Sequence, residues 1–145
     1  MAYFQDALQL ARDVGNVYFQ AHILGSIGNA QRLLGDREAA LSHFQQAIQI
    51  ARQLGNKRFE GVNLGNIGII KFADHQLVEA ETTLRRAVSM CDTTFTIGAG
   101  SFRGSLALVL AHQDKFDEAI DELRIGEPQV EVMPEEYAKF LCNKG

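Results

Sequence analysis

Residues 24–47 read LGSIGNAQRLLGDREAALSHFQQA, and this stretch decides the fold. Leu24, Ile27, Gly28 and Gln31 recur at three- and four-residue intervals, as one face of a helix requires. Gly35-Asp36 then breaks the pattern. Asp36 suits the N-cap of a second helix, because its carboxylate accepts the free N–H groups of the first turn. That helix carries Ala40, Leu41, Phe44, Ala47, Ile48 and Ala51 at the same intervals. It closes at Leu54-Gly55-Asn56, where glycine takes the left-handed conformation that ends helices. Residues 17–56 are thus predicted to form two helices joined by a tight turn.

The pattern returns along the chain. At a spacing of 40, Phe4, Phe44 and Leu84 align, as do Ala7, Ala47 and Ala87. Gly15-Asn16 recurs as Gly55-Asn56, Leu24-Gly25 as Leu64-Gly65, and Ile27-Gly28 as Ile67-Gly68. At a spacing of 39, Ala80 maps to Ala119, Leu84 to Leu123 and Ile67 to Leu106. Self-similarity at a fixed interval of this size marks a solenoid. Asp74 and Asp114 mark the same inter-helix turns in the later units, and Thr93–Ile97 is the one stretch with a strand-like period. Helices are expected at 2–14, 18–34, 37–54, 58–73, 77–92, 98–112, 116–125 and 135–144. The fold class is all-α, a solenoid of antiparallel helix hairpins with about seven or eight helices. Residues 1–145 form one array: a second helix at 2–16, units at 17–56, 57–95 and 96–133, and a first helix at 134–145.

Two antiparallel helices approach closely only where side chains at the crossing are small. Gly28 is therefore expected to face Ala40, Gly68 to face Ala80 and Ala107 to face Ala119, with Phe44, Leu84 and Leu123 filling the gap to the next hairpin. Glycine inside a helix costs about 0.5–1 kcal/mol relative to alanine. Close backbone approach is the simplest compensation for Gly25, Gly28, Gly61, Gly65 and Gly68. One hairpin cannot bury its apolar stripe alone, so neighbours must stack.

Composition narrows the function. The chain is 46% apolar and 22% charged with a formal charge of −4, which argues against nucleic-acid binding, since that takes clustered Lys and Arg. No apolar run approaches the roughly 20 residues of a membrane span, and the N-terminus lacks the pattern of a signal peptide. Cys91 and Cys142 fit no ligand spacing and read as reduced thiols in a cytoplasmic protein.

The run Leu24…Ile27-Gly28-Asn29…Leu34-Gly35-Asp36…Ala40…Phe44…Ala47 resembles the tetratricopeptide repeat signature. The usual unit is 34 residues; this one has extra turns ending in Ile50-Ala51-Arg52-Gln53-Leu54-Gly55-Asn56. Longer units of that kind resemble those of Pins-type scaffolds, and more loosely those of kinesin light chains and bacterial regulators. Gln31 and Lys71 stand where the family has an aromatic residue, Arg103 stands in the place of Leu24 and Leu64, and the third unit lacks the Gly-Asn turn. The resemblance implies a right-handed superhelix whose first helices line a concave groove. It implies a protein-interaction scaffold and not an enzyme, with no cofactor and no metal.

By that resemblance the groove residues are His22, Asn29 and Arg32 in the first unit, Asn66, Ile69 and Phe72 in the second, and Ser105 and His112 in the third. Asn29, Asn66 and Ser105 supply hydrogen bonds to a peptide backbone, Arg32 a two-pronged contact to a carboxylate, and Ile69 with Phe72 an apolar pocket. The expected partner is a peptide or helical segment of another protein. The family's carboxylate clamps use several Lys and Arg, and this groove offers chiefly Arg32. Pro134 with Glu135 and Glu136 makes a sound helix start, but Tyr137, Phe140 and Leu141 behind it need cover. The end helices therefore imply a longer array or self-association.

Other motifs are weaker. Gly98-Ala99-Gly100-Ser101-Phe102-Arg103-Gly104 lacks the spacing and βαβ context of a dinucleotide loop. His22, His43, His75 and His112 show no metal-ligand spacing. Asp117, Glu118, Asp121 and Glu122 read as a solvated acidic face. Two alternatives to the scaffold stay open: a sensory module binding a small ligand or signalling peptide, and a structural spacer.

Overall fold

The computed structural model describes residues 2–131 and 134–144 and, in its last helix, the side chains of residues 138–143. Among the described residues eight helices follow one another: α1 (Ala2–Asp13), α2 (Val17–Leu33), α3 (Arg37–Leu54), α4 (Lys57–Ala73), α5 (Leu77–Thr94), α6 (Thr96–His112), α7 (Phe116–Val130) and α8 (Pro134–Lys144). The closest-packed neighbours are α2 with α3, α4 with α5, and α6 with α7, and α8 lies against α6 and α7. The chain is an all-α helix-hairpin solenoid.

Caps and turns show why the breaks fall where they do. The Asn16, Asp36 and Asn56 side chains accept from the backbone N–H of Phe19, Ala39 and Phe59 at 3.0, 3.3 and 3.0 Å. Gly15, Gly35 and Gly55 have φ of 71°, 87° and 67°, the left-handed region that glycine enters at no steric cost. The later units meet the same turn with other residues, His75 at φ 61° and Asp114 at 60°. Asp74 and Asp114 do mark turns, but neither caps the start of the helix that follows. Gln76 and Lys115 occupy the cap positions without a side-chain cap bond, and Asp74 instead accepts from Arg37 Nη1 at 2.6 Å.

Two expectations on helix ends are corrected. Thr93–Ile97 is not a strand: α5 runs to Thr94, Phe95 alone breaks the helix at φ −155°, and α6 starts at Thr96. The Phe95 ring packs on Gly98, which leaves room for it by having no Cβ. The seventh helix does not stop at residue 125 but passes Gly126 and Pro128 to reach Val130. Tertiary contact holds that last turn. A Cβ on Gly126 would lie 3.2 Å from the Gly100 carbonyl, so α6 and α7 cross backbone to backbone there, and Val130 is fully buried.

The core runs through the stack. Phe44 and Leu84 are fully buried and join the core that continues into the next hairpin with Leu64, Ile67, Phe102 and Leu106; they also touch their own hairpin. A Cβ on Gly28 would stand 2.8 Å from the Phe44 ring, and one on Gly68 would stand 2.6 Å from Leu84 Cγ. In the first two hairpins the large residue of the second helix thus presses onto the glycine of the first, and Phe44 and Leu84, not Ala40 and Ala80, make the closest approach. A second series of glycines joins consecutive first helices. Gly25 receives Asn63, Gly65 receives the Phe102 ring, and Gly104 receives Phe140. Phe140 is buried by this contact, whereas Leu141 stays 42% exposed; the Tyr137 side chain lies outside the described residues.

Polar departures from the repeat are also explained. Gln31 bonds His43 at 2.7 Å and Lys71 pairs with Glu79 at 3.2 Å, each tying a first helix to its second. Arg103 is buried and reaches Asp92 with two bonds of 2.5 and 2.8 Å, Gln129 at 2.7 Å and Glu122 at 3.2 Å. The acidic face of α7 is therefore not simply solvated. Glu118 and Glu122 both reach Arg85 on α5. Glu81, beside them, is held down to a pKa of about 2, chiefly by the Lys115 ammonium.

Candidate partner-binding groove

The first helices of the hairpins stand side by side, because the glycine of one seats a side chain of the next. Their shared face, closed at one end by α8, encloses a groove of about 890 Å³. Six of the eight anticipated residues line it: His22, Asn29, Arg32, Asn66, Ile69 and Ser105. All six are exposed or half-buried, as a contact surface requires.

Phe72 and His112 do not line it. They sit at the C-terminal ends of α4 and α6, where their rings meet edge to face at 5.0 Å. Phe72 is thereby engaged with His112, and only Ile69 of the anticipated apolar pair lines the groove. The His112 Nδ1 lies 2.9 Å from the Leu108 carbonyl, a local helix contact.

Inside the groove the polar groups are oriented. Arg32 donates from Nε and Nη2 to Asn29 Oδ1 at 3.3 and 2.9 Å. Burial pulls the Arg32 guanidinium below its ordinary value, the expected cost of removing a cation from water without a counter-charge. Asn63 donates to the Phe59 carbonyl at 2.7 Å, and its Oδ1 points at Gly25. At the N-terminal end of α2 and α4 the rings of Tyr18 and His22 stand 5.1 and 6.0 Å from that of Phe59. Tyr18 is 56% exposed, so one end of the groove is an open aromatic ledge.

Several lining residues escaped the sequence reading. Arg58 holds its guanidinium carbon 4.2 Å from the centroid of the Phe95 ring, a cation–π contact. Phe95 was hidden because its unit lacks the Gly-Asn turn. Lys139, Cys142 and Asn143 come from α8. The available signal was Leu141-Cys142-Asn143-Lys144-Gly145, which keeps the Leu, Asn and Gly spacing of Leu64-Gly65-Asn66-Ile67-Gly68. Among the described residues no helix is long and apolar enough to cross a membrane.

A stack of helix hairpins with a concave face built from first helices defines a repeat solenoid. Family models agree: the tetratricopeptide repeat model matches residues 2–53 and 19–93, and the chain belongs to that family. The match stops just before Phe95 and Arg103, where the third hairpin departs from the pattern. Among solved structures, BtubC (BKLC) from P. vanneervenii is similar, with a TM-score of 0.83 at 13% identity. The likeness covers 98% of this chain and 61% of that one, so it speaks to the fold alone. No curated protein sequence matches the chain.

Proposed function

We propose that this chain is a protein-interaction scaffold that holds an extended or helical segment of another protein in its concave groove. Tetratricopeptide repeats serve protein–protein interaction in general, and this family membership supplies the class. The observation that carries the particular reading is the groove's lining. Six residues chosen from the repeat pattern come from three helices into one cavity of about 890 Å³, with side-chain amides, a hydroxyl and a guanidinium aimed into it. A peptide in an open groove needs such donors and acceptors for its backbone.

Asn29→Ala/Arg32→Ala/Asn66→Ala tests the reading by quantitative pull-down against the natural chain. None of the three side chains is buried, so helical content and melting should be unchanged. A partner held by the natural chain is expected to be lost by at least roughly tenfold, since interface truncations at a buried centre exceed about 1.4 kcal/mol. Retention of every partner would remove the groove from the account.

Self-association through the end helices is a second reading, favoured by the exposure of Tyr3 at 79% and Leu141 at 42%. Tyr3 stands where His43 bonds Gln31 of the paired helix, and Leu141 stands where Leu64 is buried. A size that grows with concentration, and the same growth in the triple variant, would favour the ends over the groove.

A further inference from the structure

Resting on the groove-binding reading, we propose that the segment held there is acidic, with Asp or Glu side chains meeting Arg32 and Arg58 and an apolar side chain against Phe59.

The distribution of charge carries this. The chain has 18 acidic and 14 basic residues, yet among the described residues no carboxylate lines the groove, while Arg32, Arg58 and Lys139 do. Elsewhere arginines are matched. Arg37, Arg52, Arg85, Arg103 and Arg124 each lie within 4.0 Å of a carboxylate; Arg12 and Arg86 are simply exposed. The two groove arginines are instead held by neutral groups, Arg32 by the Asn29 amide and Arg58 by the Phe95 ring. Such partners orient a guanidinium without neutralising it. Glu60, two residues from Arg58, does not face the groove: it is buried and held by Arg52 Nε at 2.7 Å.

Two oriented cations in a half-buried groove favour a carboxylate, which bonds a guanidinium in two parallel contacts. A neutral or basic segment would leave them uncompensated at a cost in affinity. Phe59 lines the groove between Tyr18 and His22, so the same segment meets an aromatic surface. A nucleic acid would also offer negative charge. The acidic residues outside the groove disfavour it, because a phosphate backbone extends well beyond the few cations that line the groove.

The test is selection from a display library of random 12-residue peptides on the full chain. Its readouts are the composition of the selected pool and the alkylation rate of Cys142. Cys142 is exposed and lines the groove, whereas Cys91 is buried with its thiol pushed up to about 11, so only the former reacts readily at neutral pH. The expected pool is rich in Asp and Glu. Its synthetic members should slow Cys142 alkylation, weaken with added salt, and lose roughly tenfold in affinity for each of Arg32→Gln and Arg58→Gln. Arg58 is exposed, so its single variant gives a result even if Arg32→Gln disturbs α2. Neutral or basic peptides that protect Cys142 would overturn the acidic inference and leave the groove intact. Peptides that bind without protecting Cys142, or a library that yields no binder, would count against both. Equal competition by a single-stranded oligonucleotide of the same charge would overturn the peptide assignment.

Discussion

Phe44→Ala is expected to cost about 3–5 kcal/mol of folding stability, the usual range for a buried phenylalanine. The ring is fully buried at the centre of the stack. Its neighbour across the hairpin is Gly28, with no side chain that could move into the space left behind. Deleting the ring therefore leaves a hole bordered on the α2 side by backbone, which cannot fill it. Phe44→Leu should cost roughly half as much, because Leu84 fills the same place over Gly68 in the next hairpin. Urea unfolding followed by circular dichroism would show the midpoint falling with the slope unchanged. A loss below about 1 kcal/mol for Phe44→Ala would contradict the glycine-and-ring packing derived above.

Arg103→Leu is the second large effect, and it runs against the repeat pattern, which has leucine there. The substitution should destabilise by about 2–4 kcal/mol at pH 7, somewhat less than removal of one partner from a fully buried pair. The discount reflects water at Asp92, whose side chain is 36% exposed, against 11% for Arg103 and 18% for Glu122. Without Arg103, Asp92 loses its counter-charge, Glu122 keeps only the 3.8 Å contact to Arg85, and Gln129 keeps only its bond to Asp92. The hydrogen bond from Arg103 is also the main cause that holds the Asp92 carboxyl below its ordinary value of 3.8. A depressed carboxyl stabilises the fold above its unfolded value and loses that contribution as pH falls. The difference between natural chain and variant should thus be full at pH 7 and shrink as pH drops below about 4. Equal stability at pH 7, or a gap that widens in acid, would show that the network does not support the third hairpin.

Arg103 also shows where sequence reading stops. Helix α3 was legible to its last residue because both of its signals are local: the Asp36 cap and the left-handed Gly55. The six groove residues were legible because repeat register carries orientation from unit to unit. Three features were not. The turn of α7 beyond Pro128 is held by contact with α6, and no local pattern announces a backbone crossing at Gly100 and Gly126. Phe72 stands at the repeat position of Arg32 and, like His112, in the last turn of its helix, but there the two rings meet each other. Arg58 and Phe95 come together from α4 and from the α5–α6 break, and only tertiary packing brings their charge and ring into contact. Local caps and register were readable; pairings between helices without a repeat equivalent were not.

The central claim is that a partner segment occupies the concave groove, and Cys142 reports on it directly. Once a partner has been recovered with the natural chain, the alkylation rate of Cys142 should be compared in the free chain and in the purified complex. The account predicts severalfold slowing in the complex, and no binding by the Asn29→Ala/Arg32→Ala/Asn66→Ala variant. An unchanged rate in a complex shown to be fully bound would place the partner elsewhere on the solenoid and contradict the claim.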